Sequence, residues 1–381
     1  MLTWLLLVAA PVPVCALDTL QVKSPDTFLE EWRWTSFDND LAGRVQAAIE
    51  DREGRIWVGT DRGVQYYDGY KWTKYTVKDG LADGDVRAIL QARDGTMWFG
   101  TKKGISRFNG REWKTFGKEE GVPGPTSWDG FVQLQDGSIW ASLFNKVDIT
   151  DSQQGIVRFD GDRWVPVPLP WDRPRPPMAN LIAAANGDIW ASTLLDGIFR
   201  FDGEEWEHYG TETGLPSDRG GFLCQASNGA IWVPHWDVGI SRFDGTSWQT
   251  FGKNMDGLKG MNEMMSAWEM PDGTIWSGGG LGAKGNALFR YDGEDWRAYG
   301  QGEAGRPWHQ VRFGVAAKDG SVWMASVFQK SLQRFVSEGA WSSHTHPDGL
   351  HQGACGRWFD LAAHRGQSSS LHWWPMAGVW G

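Results

Sequence analysis

Along most of the chain the apolar positions come in short runs broken by Gly, Asp and Asn, a pattern too brief and too often interrupted for helices and suited to short strands joined by tight turns. Residues 45–49, 56–60, 64–67 and 72–76 show the unit: four segments of β-type composition separated by turn residues. The unit then recurs. A Gly, a spacer, an aliphatic residue or Met and a tryptophan appear together at Trp57, Trp98, Trp140, Trp190, Trp232, Trp276 and Trp323, at steps of 41, 42, 50, 42, 44 and 47 residues. A second anchor, an apolar strand, an aromatic residue, usually Asp-Gly and another tryptophan, follows each at Trp72, Trp113, Trp164, Trp206, Trp248, Trp296 and Trp341. Fourteen of the 26 tryptophans thus stand on one lattice.

Four antiparallel strands make a sheet with two faces to bury, so each unit needs a neighbour on both sides. Seven such units arranged radially satisfy this, and the expectation is an all-β, seven-bladed β-propeller over residues 28–346. The rival, an open solenoid, lacks four-stranded units with two Asp-Gly turns. Residues 31–37 (EWRWTSF) read as an outer strand without a unit of its own, and pairing it with the last unit closes the ring and removes two exposed edges. Residues 341–346 compete for the same position.

In such a blade the first and third turns emerge on one face, and the second and fourth on the other. The first face is uniform in length. Turn two varies from 10 to 19 residues between the flanking aromatic positions, and binding residues tend to occupy variable loops on a rigid frame. The ligand site is therefore expected on the face of turns two and four, around the channel. The candidates there are Trp128, Asn145, Trp171, Arg173, His235, Trp236, Asp237, Trp308 and His309: aromatic faces for stacking beside groups that make directional hydrogen bonds. Such tryptophans are equally suited to filling gaps between blades.

Composition narrows the partners. With 37 basic and 47 acidic residues the chain gains no counterion-release energy from nucleic acid or anionic lipid. Residues 2–14 are an uncharged apolar run ending in Val14-Cys15-Ala16, read as a signal peptide cleaved after Ala16, with a periplasmic or extracellular protein as the result and no membrane insertion after cleavage. Cys224 and Cys355 have no spacing that predicts a metal site or a required disulfide. Five methionines fall within residues 255–270 and read as packing before soft-metal binding. Pairs such as Asp94-Gly95 read as hairpin turns and not as calcium loops. No cofactor or metal is expected. Motifs for serine hydrolases, zinc peptidases and phosphate loops are missing, so the chain reads as a binding protein and not an enzyme.

The stretches EDREGRIWVGTDRGVQYYDGYKW (50–72) and ARDGTMWFGTKKGISRFNGREW (92–113), with the linking Asp79-Gly80-Leu81 and Gly214-Leu215, resemble the two-component regulator propeller repeat over roughly residues 28–350. The resemblance implies a bacterial extracytoplasmic sensor that binds a glycan or other small molecule and signals through a partner such as a membrane histidine kinase. The alternative is a lyase similar to the streptogramin lyases, with His235 beside Asp237, or His309, as base. Residues 351–381 break the repeat and read as an irregular tail, frameshifted or truncated.

Overall fold

The computed structural model describes residues 26–144, 155–169, 178–252, 261, 263–279, 286–300, 311–326 and 330–336. They form seven four-stranded antiparallel sheets. In six of these the strands follow chain order. The innermost strand of each blade packs against its counterparts around the axis. These inner strands are Val45–Glu50, Val86–Gln91, Thr126–Gln133, Met178–Ala183, Cys224–Gln225, Met264–Glu269 and Val311–Ala316.

The tryptophan lattice explains why the blades pack radially. Each of the seven earlier tryptophans lies in a different buried cluster between neighbouring blades, from Trp57 between blades one and two to Trp323 between blades seven and one. The later tryptophans face the other way: Trp72 packs on the seam with blade seven and Trp113 on the seam with blade one. Every blade thus contributes a large ring to both of its seams, and these rings supply much of the apolar area that holds the body together.

The seventh blade takes its outer strand from the other end of the chain. Trp34–Ser36 pairs antiparallel with Leu332–Val336, and Trp34 sits opposite Phe335 just as Trp72 sits opposite Tyr67 and Trp113 opposite Phe108. Trp34 therefore fills the second-tryptophan slot of blade seven, packed against Phe28, with their ring centroids 4.8 Å apart. The N-terminal strand completes the last blade as expected, while residues 341–346 lie outside the described residues. At the Asp-Gly pairs the glycines take left-handed backbone, φ 87° at Gly95 and 88° at Gly137, while Asp94 and Asp136 accept from the amide two residues on. They are hairpin turns.

Candidate ligand site at the channel collar

The inner strands share one irregularity, on the face of turns two and four. In blades one, two, four, six and seven the register with the second strand slips by a single residue, at Gln46, Arg87, Ala179, Met265 and Arg312. A bulge of this kind bends the strand and re-aims a side chain. Blade three widens it: Thr126 and Phe131 are paired, and residues 127–130 between them form a larger excursion containing Trp128 and Asp129. In blade five the equivalent residue is Gly221, whose N–H donates to the Pro234 carbonyl, while Phe222 next to it pairs with Ser266 of blade six. The bulges form a collar around the axis. Its residues on blades seven, one, two and three are Arg312, Gln46, Arg87 and Asp129, and those on blades four, five and six are Ala179, Gly221 and Met265. One arc is polar and charged, the other small or apolar.

The polar arc is wired together across blades. Gln46 donates from Nε2 to Asp85 Oδ1 at 2.7 Å and accepts from Trp128 Nε1 at 2.8 Å. The guanidinium carbons of Arg87 and Arg312 lie 4.8 and 5.3 Å from the Trp128 ring centroid, and that of Arg312 is also 4.6 Å from Phe222, distances at which cation–π attraction operates. Arg312 Nη2 is 3.5 Å from Asp129 Oδ2, an ion pair too long for a good hydrogen bond. Burial lowers the Arg312 pKa to about 10 against the opposing pull of Asp129, and burial likewise raises that of Asp129. Arg312 is 4% exposed, yet the Asp129 side chain keeps 38% of its exposure. The arc therefore joins two cations, a stacking surface and two carboxylates that are only partly buried, a set able to orient a small polar ligand.

Comparison with known proteins bears on what this frame is. A family model described as two component regulator propeller matches residues 41–62 and 80–103, which span the bulges at Gln46 and Arg87. The chain carries two-component regulator propeller repeats. No curated protein matches the sequence. Among solved structures it is similar to the extracellular domain of a hybrid two-component system protein from B. thetaiotaomicron, at 17% identity and TM-score 0.64, over 80% of this chain and 41% of that one. It is also similar to a streptogramin B lyase, at 16% identity and TM-score 0.61, over 79% of this chain and 96% of the other. A third similar structure is a catalytically inactive histidine-to-alanine virginiamycin B lyase from Staphylococcus aureus with quinupristin, at 13% identity and TM-score 0.62, over 80% and 99%. At these identities the structural likeness is one of fold.

Of the residues singled out in the sequence, Trp128 lies in the collar. Trp236 and Asp237 lie in turn two of blade five, on the expected face. The Trp236 indole donates to the Gly220 carbonyl at 3.2 Å, and Asp237 is 4.0 Å from Arg219, so both tie that turn to the preceding one. His235 is not at the channel mouth. It is fully buried within blade five, its Nε2 is 2.9 Å from Ser241 Oγ, and desolvation lowers its pKa to about 4. It replaces the threonine that in other repeats of this family type, Thr60 and Thr101, bonds back across turn two to Gly63 and Gly104. Asn145, Trp171, Arg173, Trp308 and His309 lie outside the described residues. Of the methionine cluster, Met261, Met264, Met265 and Met270 are buried packing residues, and Met255 is outside. Burial raises the Cys224 thiol pKa. Among the described residues no His, Cys, Asp and Glu side chains gather as a metal site, and no helix is long and apolar enough to cross a membrane.

Gln46, Arg87, Asp129 and Arg312 were not singled out by sequence, although a signal for them exists. All seven collar residues lie eleven positions before the earlier tryptophan of their repeat. Reading that single column shows the charges falling on consecutive blades. Attention to long loops misses it, because the column keeps a constant distance from the tryptophan whatever the lengths of the loops.

Proposed function

We propose that this protein is an extracytoplasmic sensing or interaction propeller that binds a small molecule, such as a glycan, at the collar and conveys the bound state to a separate partner such as a membrane histidine kinase. One observation carries the reading: side chains from blades one, two and seven converge on Trp128 of blade three through a hydrogen bond and two cation–π contacts. Support for the location and the partner comes from the repeat family and from the likeness to an extracellular domain of a two-component system. The lyase reading rests on a histidine base at the lumen. Of the two candidate bases, His235 is enclosed within its blade and bonded to Ser241, and His309 lies outside the described residues.

A thermal-shift screen of neutral and acidic oligosaccharides tests the proposal, since a ligand that binds only the folded state raises the melting temperature. At least one sugar should raise it in the native chain and fail to do so in Trp128→Ala. A flat response across the screen would remove the glycan reading, and a shift that survives Trp128→Ala would move the site away from the collar.

A further inference from the structure

Arg87 and Arg312 stand at the same bulge in blades two and seven, but their guanidinium groups are satisfied differently. The Arg87 fork is closed from within its own blade: Nε donates to Asp85 Oδ1 at 3.2 Å and Nη2 to Asp85 Oδ2 at 3.3 Å. Two residues before Arg312 the sequence has Gln310 in place of an aspartate. Nε and Nη2 of Arg312 are both buried without a hydrogen-bond partner, and these two nitrogens form the edge that receives a carboxylate side-on. A buried cation with an open fork is costly until its charge and its donors are met.

Among the described residues, the carboxylate that reaches that fork is poorly seated. Asp129 is the one non-glycine residue with positive φ, 48°, among the described residues. It belongs to the excursion 127–130 and reaches Arg312 only at 3.5 Å, while its side chain is more exposed than the arginine it covers. We propose that the Nε/Nη2 fork of Arg312 receives the carboxylate of a small ligand, and that this ligand takes the place of the Asp129 carboxylate, which turns into the lumen. The inference rests on the collar being the ligand site. A planar monoanion matches the fork, whereas a dianionic phosphate would have to sit among Asp85 and Asp129.

The test reads the fork itself. In the full chain, labelled with ¹⁵N, the Arg312 Nε–H resonance is assigned by its loss in Arg312→Lys, or by through-bond correlation to its own backbone amide should that variant not fold. Sodium formate, the smallest carboxylate, is then titrated at constant ionic strength, with sodium chloride and neutral formamide as controls. A saturable shift with formate alone is expected. In Asp129→Asn, whose side chain tolerates left-handed backbone, saturation should come at about tenfold lower formate because the competing charge is gone. No saturable shift in either protein overturns the carboxylate site, and equal half-saturation in both overturns the displacement of Asp129. If the fork is silent while a neutral sugar still stabilises the chain through Trp128, the carboxylate inference fails and the collar reading stands. If the fork responds to formate while no sugar stabilises the chain, the carboxylate site stands without the glycan reading.

Discussion

The seams between blades and the collar around the channel come from the same repeats and obey opposite rules. At the seams one solution recurs, with Trp57 and its six counterparts each filling an interblade cluster and the later tryptophans closing it from the other side. At the collar the spacing to the tryptophan is kept while the residue changes from Gln to Arg to Asp to Ala to Gly to Met to Arg. A seam residue is enclosed on all sides and any change of volume is felt, whereas Gln46, Arg87, Trp128 and Asp129 at the collar are only partly buried. Repetition therefore holds the ring, and the freedom left at its axis is where specificity can be written.

The contrast breaks most directly at the seams. Trp57→Ala, at a residue 2% exposed, should cost roughly 3–5 kcal/mol, measured as a lowered urea midpoint at constant slope. A cost near that of an ordinary surface change would mean that the tryptophan lattice does not carry the ring. His235 sharpens the distinction between interior and lumen. Its folded pKa of about 4 lies below the value of 6.5 for a free histidine, so its contribution is complete above pH 6.5. As the pH falls from there towards 4, the unfolded chain takes up a proton that the native one refuses, with a loss of up to roughly 3 kcal/mol. His235→Gln should flatten that part of the stability–pH profile, and an unchanged slope would put the ring in contact with water.

A smaller effect is expected at the turns. A Cβ at Gly63, where φ is 121°, would strike the Tyr75 carbonyl, whereas one at Gly69, with φ 97°, meets nothing within 4 Å. Gly63→Ala should cost about 1–3 kcal/mol and Gly69→Ala distinctly less; parity in chemical denaturation would show that backbone angle alone governs both. The smallest change in stability belongs to the collar. Trp128→Ala, at a half-buried lumen residue, should cost about 1 kcal/mol or less while abolishing the ligand-induced thermal shift. A loss as large as that of Trp57→Ala would make Trp128 another framework residue and erase the contrast.

The ring was legible from the chain because its cause is periodic. Tryptophan spacing, glycine before each aliphatic-Trp pair and Asp-Gly turns are local requirements repeated often enough to outweigh any single exception. Trp34 was legible for the same reason, being one more copy of a strand already seen. The candidate site was read less well. Trp128 was found because it departs from the repeat, but His235 also departs from it and lies inside a blade, since an irregular residue can serve packing as readily as binding. Arg87 and Arg312 passed unremarked because each looks like an ordinary arginine at the start of a strand.

Residue order alone determined the number of blades and their four-stranded make-up, because these follow from hydrogen-bond and packing needs met within one repeat or between adjacent ones, while the pairing of Trp34–Ser36 with Leu332–Val336 decided between two candidate sealing strands. Only the tertiary structure decided which side chains meet at the axis. Gln46 and Trp128 are 82 residues apart and share a hydrogen bond, and Asp129 faces an arginine from the last blade. Closing the ring converts a sequence column into a circle, and no local pattern records which members of a circle come within reach of each other.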